Sequence, residues 1–218
     1  MKDRIITVSG DAATSVPPDL VNVRFGVEVQ GKTAAEALTT NSEFMAQVVE
    51  AVLKTGLDRS ELSTSQFNIY PVYEHHREDR GGMARQTLVG YRVQNMLSVE
   101  TGKLDLVANI IDHAVDAGVN RIDQVSFSLS PEVRERLQDE MIEAAVQDAR
   151  EKAERALAPL GYVVTGVRQM NVSGSAPPMP MYADARRMEM ASAAPTQVFA
   201  SEQDVRTSVN VTFLIGEQ

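Results

Sequence analysis

Three histidines, His75, His76 and His113, are the only side chains in this 218-residue chain suited to proton transfer near neutral pH. No cysteine is present to act as a thiolate nucleophile or metal ligand. His75 and His76 stand beside Glu74, Glu78 and Asp79, a mixture of imidazole and carboxylate that suits a divalent metal. Adjacent ligands on a polar hairpin tip hold an ion loosely, so a solvated charged loop competes with a metal site there. His113 adjoins Asp112 and precedes Asp116 by one helical turn, the spacing of a local hydrogen bond or surface ion pair. Serine-type hydrolysis needs a Gly-x-Ser-x-Gly turn and a histidine held firmly in reach of the nucleophile. The chain lacks that motif, and a histidine pair in a loop is not held within the tolerance such chemistry requires. Neither Gly-x-Gly-x-x-Gly nor Gly-x-x-x-x-Gly-Lys-Ser/Thr occurs, so nothing points to a nucleotide-phosphate cradle. These readings assign no catalytic residue and no cofactor.

Methionine is the more unusual resource. Five of the ten methionines fall within residues 170 to 190, among them Met179 and Met181 around Pro180, and Met188 and Met190 around Glu189. Thioethers are soft ligands for Cu(I), adaptable apolar contacts for a partner, and oxidisable groups. Three readings of this segment compete: contact with a partner protein or another subunit, an ordinary loop, or a copper site built from Met179, Met181, Met188 and Met190.

The elements that must carry these residues follow from periodicity. Residues 4 to 9 read as a short strand that Ser9-Gly10-Asp11 ends by turn chemistry. Asp19 to Gln30 alternates, with Val21, Val23, Phe25, Val27 and Val29 on one face. Thr33 and Glu36 form a capping box before a helical stripe of Ala37, Leu38, Phe44, Met45, Val48, Val49, Val52 and Leu53 that Gly56 terminates. Strands are expected from Glu61 to Tyr73 and from Thr87 to Glu100, paired antiparallel across a flexible loop, His75 to Gln86. A second helix spans Lys103 to Ala117 with Gly118 as its stop, and a strand follows from Arg121 to Leu129. Ser130 caps and Pro131 opens a long helix reaching Leu160-Gly161, whose inward positions are Val133, Leu137, Met141, Ala145, Ala153 and Leu157. Its alanines allow another element to come close. Tyr162 to Val172 and Asp204 to Ile215 are the last strands, and residues 173 to 201, rich in Ser, Ala, Pro and Met, read as a mobile loop.

The fold class is therefore α+β. Residues 19–130 make a ferredoxin-like βαββαβ domain, and residues 1–18 with 131–218 make a second small α+β region from the long helix and the N- and C-terminal strands.

Composition narrows the partners. Thirty acidic against 21 basic residues give a net charge of -9, so nucleic acid and anionic lipid would have to be bound against repulsion. No apolar run approaches the ~20 residues of a membrane-spanning helix. The opening Met1-Lys2-Asp3-Arg4 runs directly into strand-like residues without the apolar core of a secretory signal, so the expectation is either a cytosolic protein or a signal already trimmed.

The pattern as a whole resembles the SIMPL-domain family. The residues that carry this are Ile5-Thr7-Val8-Ser9-Gly10, Pro18-Asp19, the Ala-Glu-Ala helix with Asn41, and Leu62-Ser63-Thr64-Ser65-Gln66-Phe67-Asn68-Ile69-Tyr70-Pro71. Gly90-Tyr91-Arg92-Val93-Gln94-Asn95, the run from Asp112 to Gly118, and Ala149-Arg150-Glu151-Lys152-Ala153 complete it. The resemblance implies a bacterial envelope protein, periplasmic or associated with the outer membrane, with the signal peptide already removed and Met1 an added start. It also implies ring-like or channel-like homo-oligomers, immunogenicity and a link to oxidative-stress defence. It carries no catalytic residue onto this chain. The combined expectation is a non-enzymatic, self-assembling protein, with the 173–201 loop as a second contact surface for a protein partner. The alternative is a periplasmic protein that binds or sequesters a small molecule or copper.

Overall fold

The computed structural model describes residues 4–76, 85–173, 179–180, 196 and 198–218. In chain order its elements begin with β1 (Ile5–Val16), β2 (Leu20–Gly31), α1 (Ala34–Lys54), β3 (Leu62–His76) and β4 (Arg85–Thr101). They continue with α2 (Val107–Asp116), β5 (Arg121–Ser128), α3 (Pro131–Leu157), β6 (Tyr162–Ser173), β7 (Met179–Pro180) and β8 (Gln203–Glu217). Helices and antiparallel sheets alternate, an α+β fold. The chain divides into two compact units, one built on Asp19–Phe127, the other on β1, α3, β6 and β8.

In the first unit the alternation of β2 buries Val21, Val23, Phe25 and Val27 almost completely. These side chains meet Met45, Val48 and Val52 of α1 and Val107, Ile110, Ile111 and Ala114 of α2. Burial of Phe25 alone contributes about 2–3 kcal/mol. The four strands lie in the order β3-β4-β2-β5, so β3 is an edge. Helix α1 begins where the sequence places its cap, with the Thr33 hydroxyl accepting from the Glu36 amide at 3.2 Å. Glu36 Oε2 reaches back past the cap and accepts from the Lys32 amide at 3.1 Å, in place of the Thr33 amide that a capping box would use. Gly56 and Gly118 leave their helices at φ 101° and 111°, where a side chain would be strained. The second helix starts later than expected. Lys103 stays outside it because its amide bonds Thr101 Oγ1, and a 3-10 turn over Leu104–Leu106 precedes Val107.

The second unit corrects the reading of its first strand. Ser9-Gly10-Asp11 does not end β1, which pairs with β8 without interruption from Ile5 opposite Leu214 to Val16 opposite Gln203. Gly10 is needed for a close crossing instead. A Cβ built on it would lie 2.6 Å from the Ala149 nitrogen and 2.7 Å from the Ala149 Cβ, with the Ala145 carbonyl oxygen nearer still. Here α3 rests its buried Ala145, Ala149 and Ala153 on the sheet β1-β8-β6, against Val209, Val211 and Phe213 of β8. The alanine stripe read from the sequence serves this approach.

Charge pins the crossing from both sides of Gly10. Lys152 Nζ reaches Asp148 at 2.6 Å, Asp11 at 3.3 Å and the Ser9 carbonyl at 3.2 Å, while the Asp11 amide donates to Asp148 at 2.8 Å. The hydrogen bond from Lys152 and the Asp11 amide hold the Asp148 carboxyl below its usual range, and the same bond raises the Lys152 ammonium. Ser130 caps α3 by accepting from Val133, and a 3-10 turn over Ala158–Leu160 finishes it.

Two loops are shorter than the periodicity implies. Backbone pairing carries β3 to His76 and starts β4 at Arg85, where the sequence reading has a loop from His75 to Gln86. Within the expected loop 173–201, Met179 and Pro180 pair with Asp204 and Gln203 as β7. In both cases an antiparallel neighbour supplies hydrogen bonds that local sequence does not announce.

Candidate functional site

The residues singled out from the sequence do not converge on one place among the described residues. His75 and His76 close β3 opposite Gln86 and Arg85, and Glu78 and Asp79 lie outside the described residues. Met179 is paired in β7, while Met181, Met188 and Met190 lie outside the described residues. His113 bonds within its own helix rather than to Asp112 or Asp116: Nδ1 lies 2.9 Å from the Asn109 carbonyl. Asp112 instead accepts from the Thr196 hydroxyl at 2.7 Å. No three acidic or histidine side chains group as metal ligands among the described residues, and no described helix is long and apolar enough to cross a membrane.

The polar clusters that do form are clamps between elements. Glu61, 18% exposed, accepts from Thr101 at 2.5 Å, from the Asp58 amide at 2.6 Å and from Lys103 at 3.0 Å. Burial pushes this carboxyl up, but the three hydrogen bonds outweigh it and hold Glu61 below its ordinary value. A lowered folded value means that the stabilisation is complete above the ordinary carboxylate range and is lost as pH falls through the folded value. Glu61→Gln is therefore expected to lose about 1–2 kcal/mol at pH 7. The gap from the parent should close in acid, read by urea denaturation at a series of pH values. A gap that stays constant with pH would show that the charge of Glu61 is irrelevant. On the sheet, Glu28 forms an ion pair with Arg92 at 3.3 Å and accepts from Arg121 at 3.4 Å, Arg121 also pairs with Asp123, and Arg24 bonds Gln124.

Sequence reasoning overlooked one core residue. Asn41 is fully buried on the α1 stripe between Ala37 and Met45, and its Nδ2 donates to the Val27 carbonyl at 2.8 Å. A weaker bond reaches the Val93 carbonyl at 3.5 Å, and Oδ1 finds no partner among the described residues. The signal was its place at four-residue spacing within an otherwise apolar stripe.

The surface most unlike ordinary solvated protein is the edge strand β3. Phe67, Ile69 and Pro71 lie opposite Asn95, Val93 and Tyr91 of β4, and after a register shift between Val72 and Tyr73, Tyr73 lies opposite Leu88. Val93 and Asn95 in turn face Val29 and Val27 of β2, which places the β3 stripe on the helix-covered side of the sheet. The cover does not extend that far. α1 packs mainly on β2 and β4, and Phe67, Ile69, Tyr73 and Leu88 remain 42–49% exposed. On the opposite side Tyr70 has the Arg92 guanidinium 6.0 Å from its ring centre.

The model of the SIMPL family, described as a protein of unknown function (DUF541), matches residues 6–213. The chain belongs to the SIMPL family. Among relatives, the 26 kDa periplasmic immunogenic protein of Brucella melitensis is 33% identical over 96% of this chain and 84% of its own length. The same-named protein of Brucella abortus is 32% identical over the same shares. The uncharacterized protein YggE of Escherichia coli K12 is 29% identical over 72% of this chain and 63% of its own. The SIMPL match takes in both units, so the β3 edge strand and the Gly10 crossing both lie within the family region.

Proposed function

We propose that this SIMPL-family chain is a non-enzymatic periplasmic protein that works as a homo-oligomer and contributes to oxidative-stress defence. The observation that carries the reading is the apolar stripe of Phe67, Ile69 and Tyr73 left exposed, among the described residues, along the edge strand β3, because exposed apolar edge strands tend to pair. The periplasmic location rests on the names of the Brucella relatives. Support for the defensive role comes from the methionines gathered between residues 170 and 190. Thioethers of this kind consume oxidant as sulfoxide, which can be reduced again.

The test is the mass of the native particle by sedimentation velocity and native mass spectrometry. The expected result is a discrete multiple of the chain mass at micromolar concentration. A strict monomer throughout that range would remove the assembly reading. Metal analysis of the same sample that finds stoichiometric copper would favour sequestration over scaffolding.

A further inference from the structure

We infer that β3 is a homodimer seam, at which a second copy of this chain pairs its own β3 antiparallel about a two-fold axis passing beside Tyr70. The inference rests on the self-assembly reading above and adds to it the surface and the symmetry.

Charge is the first argument. The chain as a whole carries a net charge of -9, so two copies repel over most of their surface. Leu62–Tyr73 nevertheless contains no Asp, Glu, Lys or Arg. This is a place where one copy can meet another without opposing its charge, and it lacks the charged side chains that protect edge strands.

The pattern is the second argument. The exposed stripe reads aromatic, aliphatic, proline, aromatic at positions 67, 69, 71 and 73, so its centre is residue 70. An antiparallel partner about that centre sets Phe67 against the partner's Tyr73, and Ile69 against the partner's Pro71. The same surface is then complementary to itself, which a two-fold interface requires. A foreign partner would not need that arrangement.

Size is the third. The exposed parts of Phe67, Ile69, Tyr73 and Leu88 present roughly 350 Å² on one face, the size of a large apolar patch on a typical monomer. A standard interface needs about 800 Å² on each side, and the flanking polar residues of β3 and β4 provide its rim. Pro71 has no amide to give the seam, so side-chain packing carries more of the contact than backbone bonding.

The absence of cysteine makes the test clean. Tyr70→Cys, treated with a short bismaleimide, should yield covalent dimer in high proportion. Val167→Cys, on the edge strand β6 of the other unit and 58% exposed, should not. The double variant Phe67→Asp with Tyr73→Asp, with circular dichroism to check its fold, should weaken self-association at least tenfold, to about the degree expected when central anchors are lost. If the parent assembles but Tyr70→Cys fails to cross-link and the double variant keeps the parent mass, the seam lies elsewhere and this inference falls while assembly stands. Preferential cross-linking at Val167 would also overturn it. A parent that is monomeric at every concentration removes both readings together.

Discussion

Gly10→Val is expected to destabilise the unit containing α3 by about 3 kcal/mol, because α3 leaves no room for a side chain at the crossing. The neighbours in the way are the backbone of Ala145 and Ala149 and a methyl group already at minimum size, so none can swing aside as a flexible side chain would. Relief would require the helix to lift off β1, which would also part Lys152 from Asp11 and the Ser9 carbonyl. In a calorimetric scan the corresponding transition should fall by about 10 °C. Gly166→Ala is the control, since its nearest neighbour, a Leu214 methyl carbon at 3.5 Å, is at ordinary contact distance. A Gly10 variant that melts with the control would show that α3 tolerates displacement and that the small-residue stripe is incidental.

Asn41→Asp should have an effect at least as large in the other unit. The change is nearly isosteric, but it replaces the amide donor that satisfies the Val27 carbonyl with an oxygen and puts a carboxylate at a fully buried position beside backbone carbonyls. A buried charge without compensation costs about 3–5 kcal/mol. Burial raises the folded pKa of such a carboxyl, so the deficit should be largest at neutral pH and shrink as the pH falls and the group protonates. Denaturant midpoints at pH 7 and pH 4 check the sign. Equal deficits at both would mean that the lost Asn41 donor, rather than the charge, accounts for the damage.

Where a pattern repeats along the chain, it was legible. The alternation of β2 identified Val21, Val23, Phe25 and Val27, and spacing on α3 identified Leu137, Ala145, Ala153 and Leu157, all of them buried. Capping chemistry located the starts of α1 and α3. The misreadings have a common cause. Gly10 was taken for a turn because glycine serves both for unusual backbone angles and for close approach, and only the distant α3 distinguishes the two. Asn41 enters the sequence reading only through the family resemblance, because polarity ordinarily argues for exposure, although its spacing places it inside. The β3 stripe was read as a strand, but alternation tells which side chains share a face and not whether a helix covers them. The clustered methionine site stays an expectation, since Met181, Met188 and Met190 lie outside the described residues.

The pairing of β1 with β8 bears on how the molecule comes into being. One unit draws its four strands and two helices from a continuous run, Leu20 to Ser128, and can close while the remainder of the polypeptide is still emerging. The other joins strands almost two hundred positions apart, so Ile5–Val16 must wait for Gln203–Glu217 before its ladder exists. During that interval the waiting strand is a target for misjoining, and the exchange of β1 between nascent molecules is the error this topology invites.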